Sequence, residues 1–189
     1  MSTDEAATDH IRLRRVPSNA LTAPEIRALR ELLWAAFGSG EEAFTEDDWQ
    51  HAIGGLHFLL ELDGKILAHA SVVKRELHLG GRPVQAGYVE AVATDPDRQG
   101  RGLGTRVIRD VTSYIQEGFE LGALGTGSHH FYERLGWLRW RGPTSVRTDT
   151  GTHRTPDEDG YILILPTPSS PSLDLSVAIS CEWRPGDVW

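Results

Sequence analysis

Apolar residues recur along the chain at two periods, one helical and one extended. Ile26, Leu29, Leu33, Ala36 and Phe37 share one helical face, opened by the capping-box pattern Thr22-Ala23-Pro24-Glu25 and stopped by Gly38. Thr45-Glu46-Asp47-Asp48 starts a second helix that runs to about Ile53, where Gly54-Gly55 halts it. Extended segments follow a weak edge-strand pattern at Arg12 to Val16. Leu56 to Leu62 and Ile66 to Leu79 flank the turn Asp63-Gly64, and Gly80-Gly81 turns the chain into Val84 to Thr94. Leu103 to Glu117 returns to helical spacing, ended by Gly118. Phe119 to Leu124 is a short strand, Phe131-Tyr132 and Leu135 lie on a brief helix, and two late strands run around Tyr161 to Leu165 and Val177 to Trp183. The pattern predicts an α+β fold, a mostly antiparallel central sheet with helices on both faces. Pro166 to Pro171 reads as a loop, so residues 1–189 form one domain.

Composition narrows the class. The chain has 189 residues, 39% of them hydrophobic and 24% charged, ordinary values for a single folded domain. Its one cysteine, Cys181, excludes an internal disulfide and a cysteine-based zinc site and points to a reducing compartment. No metal is expected, because the eight histidines show no spacing such as H-x-x-x-H. Neither the polar start, Met1 to His10, nor any apolar run suits a signal peptide or a membrane span, so a cytoplasmic protein is expected.

Charge carries more information in its placement than in its sum. The 19 basic and 27 acidic residues leave a net −8, which disfavours nucleic acid as a partner. Asp149 to Trp189 holds seven carboxylates against two arginines, five of the eight excess negatives. Such acidity is ordinarily a solvated surface and otherwise a site for a cationic ligand.

Chemistry first shows at Val92-Ala93-Thr94-Asp95-Pro96-Asp97-Arg98-Gln99-Gly100-Arg101-Gly102-Leu103-Gly104-Thr105. A strand runs into a basic, glycine-rich loop and then a helix. Glycine permits close backbone approach, and the unpaired N–H groups of the helix start attract an anion. A bare strand-to-helix turn is the plain alternative. No Gly-Lys-Ser/Thr makes it a Walker loop, and a run of hairpins precedes it, unlike a dinucleotide-binding unit. Gln99-x-x-Gly102-x-Gly104 instead resembles the Q/R-x-x-G-x-G/A pattern of the GCN5-related N-acetyltransferase (GNAT) superfamily. The resemblance implies the GNAT fold and acetyl-CoA as co-substrate. Val92, Ala93 and Thr94 would align pantetheine, and Gln99, Gly100, Arg101, Gly102, Leu103, Gly104 and Thr105 would cradle the pyrophosphate.

Direct acetylation of an amine needs a base, an acid near the leaving sulfur and an oriented acceptor. Glu90 is the candidate base: strand alternation puts it beside Tyr88 and Val92 in an apolar strand, where an ionised carboxylate is costly. A structural pairing with Lys74 or Arg75 is the alternative. Tyr132, in Phe131-Tyr132-Glu133-Arg134-Leu135-Gly136-Trp137, is the candidate acid by resemblance to a superfamily segment, or else a core tyrosine.

Longer segments resemble the aminoglycoside 2′-N-acetyltransferases: Phe44 to Trp49, Gly87 to Glu90, Leu121 to Leu124, Gly142 to Val146, Arg154 to Gly160 and Trp183 to Trp189. That resemblance implies a polycationic aminosugar held by Asp48, Glu90, Glu158, Asp187 and the terminal carboxylate of Trp189, with Gly125 and the Ala91 backbone alongside. Glu90 would act through water, sharing the base role with Trp189. A homodimer is implied as well. Asp48 equally suits a helix cap, and Asp157 to Gly160 a solvated turn. Ala43, Gly125 and Glu158 stand where the family carries Asp, Ser and Asp, a departure that bears on the acceptor. Acetylation of another polyamine or aminosugar and non-catalytic binding of CoA or drug are the rival functions. Cys181 alternates with Val177, Ile179 and Trp183 and reads as core.

Overall fold

The structure is a computed structural model describing residues 11–40 and 43–189; Met1 to His10, Glu41 and Glu42 lie outside the described residues. Its elements in chain order are β1 (Arg12–Pro17), α1 (Ala23–Phe37), α2 (Glu46–Ala52), β2 (Leu56–Leu62), β3 (Lys65–Leu79), β4 (Arg82–Thr94), α3 (Leu103–Gly118), β5 (Leu121–Gly125), α4 (His129–Glu133), β6 (Leu138–Arg139), β7 (Thr144–Thr148), β8 (Gly151–Arg154), β9 (Ile162–Pro166) and β10 (Ile179–Glu182).

The two hairpins set the frame. Asp63-Gly64 and Gly80-Gly81 all take positive φ, which closes β2–β3 and β3–β4 as antiparallel pairs. β3 is long enough to serve two neighbours on one edge. Lys65 to Val72 pair with β2, while His78 and Leu79 pair with β10. The main path reads β6-β9-β5-β4-β3-β10-β7-β8, with β1 and β2 branching from β3. Two pairs are parallel, β4–β5 and β10–β7.

Both faces are covered. On one, α3 buries Leu103, Val107, Ile108, Val111 and Ile115 against Phe58, Leu60, Ala70 and Val89. Each such side chain stabilises the fold by about 2 kcal/mol. On the other, Leu29, Leu32 and Leu33 of α1 meet Trp49 of α2, Leu59 and Ala93. Paired glycines let α3 lie close to the sheet. A Cβ on Gly87 would stand 2.9 Å from Ile115, and one on Gly122 would stand 2.9 Å from Leu165 and 3.1 Å from Ile115 and Trp137.

Three expectations need correction. β7 and β8 do not appear in the apolar pattern: Thr144-Ser145-Val146-Arg147-Thr148 is mostly polar and every residue of β8 is exposed. β7 is held by side chains instead. Asp159 Oδ1 accepts from the Thr144 amide at 2.8 Å and from its hydroxyl at 2.9 Å, while Arg154 binds Asp159 Oδ2 at 2.7 Å. The short β6 also falls outside the apolar pattern. Third, β4 does not alternate throughout. Its register against β3 shifts between His69 and Ser71, and Ala91 adopts φ +51°. Val89 and Val92, three positions apart, therefore pack with the same core on the α3 side, and Glu90 shares its face with Tyr88 but not with Val92.

Candidate active site

β4 and β5 are paired only from Ala86/Leu121 to Tyr88/Ala123, after which the strands part. Val89 to Thr94 of β4 and Leu124 to Ser128, from the end of β5 onward, line a groove of about 1470 Å³. Every residue expected at the site lines it except Arg101, which is exposed on the loop and outside the lining.

One end is built for an anion. Gly100 and Gly102 take φ +73° and +78°, conformations that cost about 1 kcal/mol for an L side chain. They turn the chain so that α3 begins in the groove at Leu103. Gly102 is its N-cap and supplies no side-chain cap, so the first amides of the helix remain available. A Cβ on Gly104 would stand 3.2 Å from Thr94 Oγ1, which keeps strand and helix start together. Asp95 anchors the turn before the loop, accepting from Lys65 at 2.6 Å and from the Asp97 amide at 3.0 Å. Arg134, which sequence reasoning did not single out, lines the groove where Arg101 does not.

The other end collects carboxylates. Glu90 lies against Arg184, Oε1 to Nη1 at 2.5 Å, not against Lys74 or Arg75. Arg75 is instead tied to Glu182 Oε1 at 2.9 Å and to the carbonyls of Glu182 and Val188. Burial pushes the Glu90 carboxyl above its ordinary value, and Arg184 opposes that shift. Glu158 is likewise raised, first by burial and then by the charges of Asp187 and Asp157. Asp48 is a cap: its Oδ2 accepts from the Thr45 amide at 2.8 Å and hydroxyl at 2.7 Å, completing a capping box at a residue that also lines the groove.

Trp189 is buried between these groups. Its indole N–H donates to Thr155 Oγ1 at 3.0 Å, its amide to Asp187 Oδ1 at 3.0 Å, and its main-chain oxygen accepts from Arg184 Nη2 at 2.9 Å. Arg184 thus holds two of the groups expected to act as bases. His51 also lines this end. Its Nε2 lies 2.8 Å from the Pro185 carbonyl, so that nitrogen carries the proton, and burial lowers its pKa. A Cβ on Gly125 would make ordinary contact, 3.5 Å from the buried, unpartnered Tyr88 hydroxyl and 3.9 Å from the Trp189 main-chain carbon.

Tyr132, on α4, also lines the groove. Its ring packs edge-on to Phe131 and Trp137 with centroids 4.8 and 6.0 Å away, and burial raises its hydroxyl pKa. Among the described residues no group of three or more His, Cys, Asp or Glu side chains is arranged to hold a metal. Cys181 is buried in the core, and burial pushes its thiol up to about 11. No helix of the described residues is long and apolar enough to cross a membrane.

A few groove residues carried no sequence signal of their role. Arg184 stood within the Trp183 to Trp189 segment but carried no mark of its partner, and His51 and Tyr88 lay in apolar or polar stretches with a simpler structural reading.

Comparison with known proteins agrees with the geometry. Residues 26–137 match the acetyltransferase (GNAT) family. The chain is 38% identical over 180 residues, 93% of its length and 91% of the other protein, to an aminoglycoside 2′-N-acetyltransferase from Mycolicibacterium fortuitum. Among solved structures, the GNAT-family acetyltransferase YhbS from Escherichia coli, in complex with CoA, has a TM-score of 0.67 at 14% identity, covering 92% of this chain and 91% of that one. A GCN5-related N-acetyltransferase from Kribbella flavida has a TM-score of 0.58 at 22% identity; 73% of this chain is covered, but only 35% of that longer one. A strand parting at a glycine-rich helix start, the family match and the extended identity lead to one assignment: the chain belongs to the GNAT family of acetyltransferases.

Proposed function

We propose that the protein transfers the acetyl group of acetyl-CoA to the 2′-amino group of an aminoglycoside. The observation that carries this reading is a single groove with uncapped helix amides at one end and Glu90, Glu158 and Asp187 at the other. The first end suits a pyrophosphate and the second a polycationic sugar. The Mycolicibacterium fortuitum relative supports the choice of acceptor.

In this reading the β4 backbone from Val92 to Thr94 aligns pantetheine, and Gln99 to Thr105 cradle the pyrophosphate, Arg101 from its outer side. Asp48, Glu158, Asp187, the Ala91 backbone and Gly125 border the acceptor. Glu90, through water and with the Trp189 oxygen beside it, takes a proton from the acceptor ammonium. The freed amine attacks the thioester carbonyl; a C–N bond forms, the nitrogen gives up its second proton to solvent through the same water, and the C–S bond breaks. Tyr132 gives its hydroxyl proton to the leaving sulfur and recovers one from solvent, so one proton is released per turnover. A pKa raised by burial makes Glu90 a stronger base than an exposed carboxylate. We read residues 1–189 as one acetyltransferase domain, acting in the cytoplasm as a homodimer.

The test is CoA release with two aminoglycosides that differ in carrying a 2′-amino or a 2′-hydroxyl group. Turnover on the amine alone is expected. Equal turnover on both overturns the regiochemistry, and turnover on neither with acetyl-CoA still bound favours a sensor.

A further inference from the structure

Two buried histidines lie behind the acceptor strand, and the mechanism above uses neither. His57 on β2 and His69 on β3 are both fully buried, and Leu59↔His69 and His57↔Ser71 are cross-strand partners, so the two imidazoles are diagonal neighbours on one sheet face. Four groups join in a line. Ser18 Oγ lies 2.8 Å from His57 Nε2, His57 Nδ1 lies 2.9 Å from His69 Nε2, and His69 Nδ1 lies 2.7 Å from the carbonyl oxygen of Ala91.

Elementary donor and acceptor rules fix every proton in this line. A carbonyl oxygen only accepts, so His69 Nδ1 must carry the hydrogen. A neutral His69 then has a bare Nε2, which only accepts, so His57 Nδ1 must donate to it. His57 Nε2 is bare in turn, and the Ser18 hydroxyl must donate there, at 2.8 Å, in preference to the Gly55 carbonyl at 3.1 Å. The Ser18 oxygen still accepts, from the Gly54 amide at 2.9 Å. The line therefore runs one way, from the turn before β2, through two Nδ1–H imidazoles, to Ala91. Burial holds both histidines neutral, His57 lowered to about 4 and His69 to about 3.

Its end point is a strained residue. Ala91 has φ +51°, unfavourable for a residue with a Cβ, and stands where β4 shifts register against β3. The kink separates the two parts of the groove wall, with Glu90 before it and Val92 to Thr94 after it. Released, Ala91 would relax toward the extended region and change the direction of both. We propose that His69, held by His57 and Ser18, is a positioning residue for acetyl transfer: its Nδ1–H pins the Ala91 carbonyl and so fixes the kink that orients base and cofactor wall together. The chemical consequence rests on the acetyl-transfer reading; the hydrogen-bond line does not.

Two variants separate positioning from packing. In His69→Asn the amide NH₂ takes the place of Nδ1 and keeps the donor to Ala91. In His69→Gln the amide reaches the place of Nε2 instead, where its oxygen accepts from His57, and the Ala91 carbonyl is left without its donor. Asparagine leaves the larger cavity, so packing alone makes it the less stable and the less active of the two. Positioning predicts the opposite order of activity. Relative to His69→Asn, His69→Gln should lose about tenfold or more in kcat/KM, with KM for acetyl-CoA raised, while being no less stable to urea. Equal activities, or activities that follow stability, overturn the proposal. Long-range ¹H–¹⁵N spectra of the wild-type protein at pH 7 supply the second readout. Two neutral Nδ1–H imidazoles are expected, and an Nε2–H or doubly protonated His69 overturns the line whatever the activity. Wild-type protein that fails to bind acetyl-CoA would instead sink the functional reading, and the spectra would still decide the line.

Discussion

Arg184 Nη1 lies 2.5 Å from Glu90 Oε1, although the two residues are 94 positions apart in the chain. The guanidinium favours the ionised carboxylate, while burial favours the protonated form and prevails. Removing the cation leaves burial with less opposition. In Arg184→Gln the Glu90 pKa should rise further, and because the base must be ionised, the acidic limb of the pH–kcat/KM profile should move to higher pH. The variant should lose more activity at pH 6 than at pH 8. A limb that stays in place would show that Glu90 is not the group it reports.

Tyr132→Phe removes one oxygen and keeps the edge-on ring contacts to Phe131 and Trp137. The fold should therefore persist. If the hydroxyl protonates the leaving sulfur, kcat falls about 100-fold while KM for the acceptor barely changes. An unchanged kcat in steady-state kinetics would remove Tyr132 as the acid.

Stability should depend on pH through the buried histidines. Their folded pKa values, about 4 for His57 and about 3 for His69, lie below the ordinary value of 6.5. The causes are burial and, for His69, the adjacent His57. Below pH 6.5 the unfolded chain binds protons that the folded one refuses, so the folded state loses stability as pH falls. The slope approaches about 1.4 kcal/mol per pH unit for each histidine, continuing until the folded pKa is reached. Urea midpoints should drop between pH 7 and pH 5, and the drop should shrink in His57→Gln/His69→Gln. An identical drop in that double variant would place the dependence elsewhere.

Gly122→Ala tests how closely α3 and β9 approach β5. The added methyl would meet Leu165 Cβ at 2.9 Å and Trp137 at 3.1 Å, neither the end of a flexible chain. A destabilisation of about 1–3 kcal/mol is expected from chemical denaturation. A wild-type midpoint would mean that the layers separate at no cost.

What the sequence disclosed follows from the range of the forces involved. The strand expected over Val84 to Thr94 is found as Arg82–Thr94, and the helix expected over Leu103 to Glu117 as Leu103–Gly118, because apolar periodicity and glycine stops act locally. β7 and β8 were invisible because Asp159 and Arg154, not apolar alternation, secure them. The kink at Ala91 left no mark, since an alanine there looks like any strand residue. The group that meets its carbonyl is a histidine 22 positions away. The anion end of the groove was legible because one contiguous loop builds it. The acceptor end was legible mainly through family resemblance, and its central ion pair not at all, because α2, β4, the Pro156–Glu158 turn and the Trp183 to Trp189 segment meet only in the fold.

The parting of β4 from β5 divides the labour between separable pieces of chain. One piece, from Thr94 through the start of α3, would serve the acetyl donor in the proposed reading. The opposite rim is assembled from a short helix, a single turn and the final residues, none of which belongs to that loop. Under the proposed function, exchange of rim residues such as Ala43, Gly125 or Glu158 would retune which acceptor is bound without rebuilding the glycine-rich loop. Acceptor preference would then be free to drift by point substitution on one bank of the groove while the other bank stays unchanged.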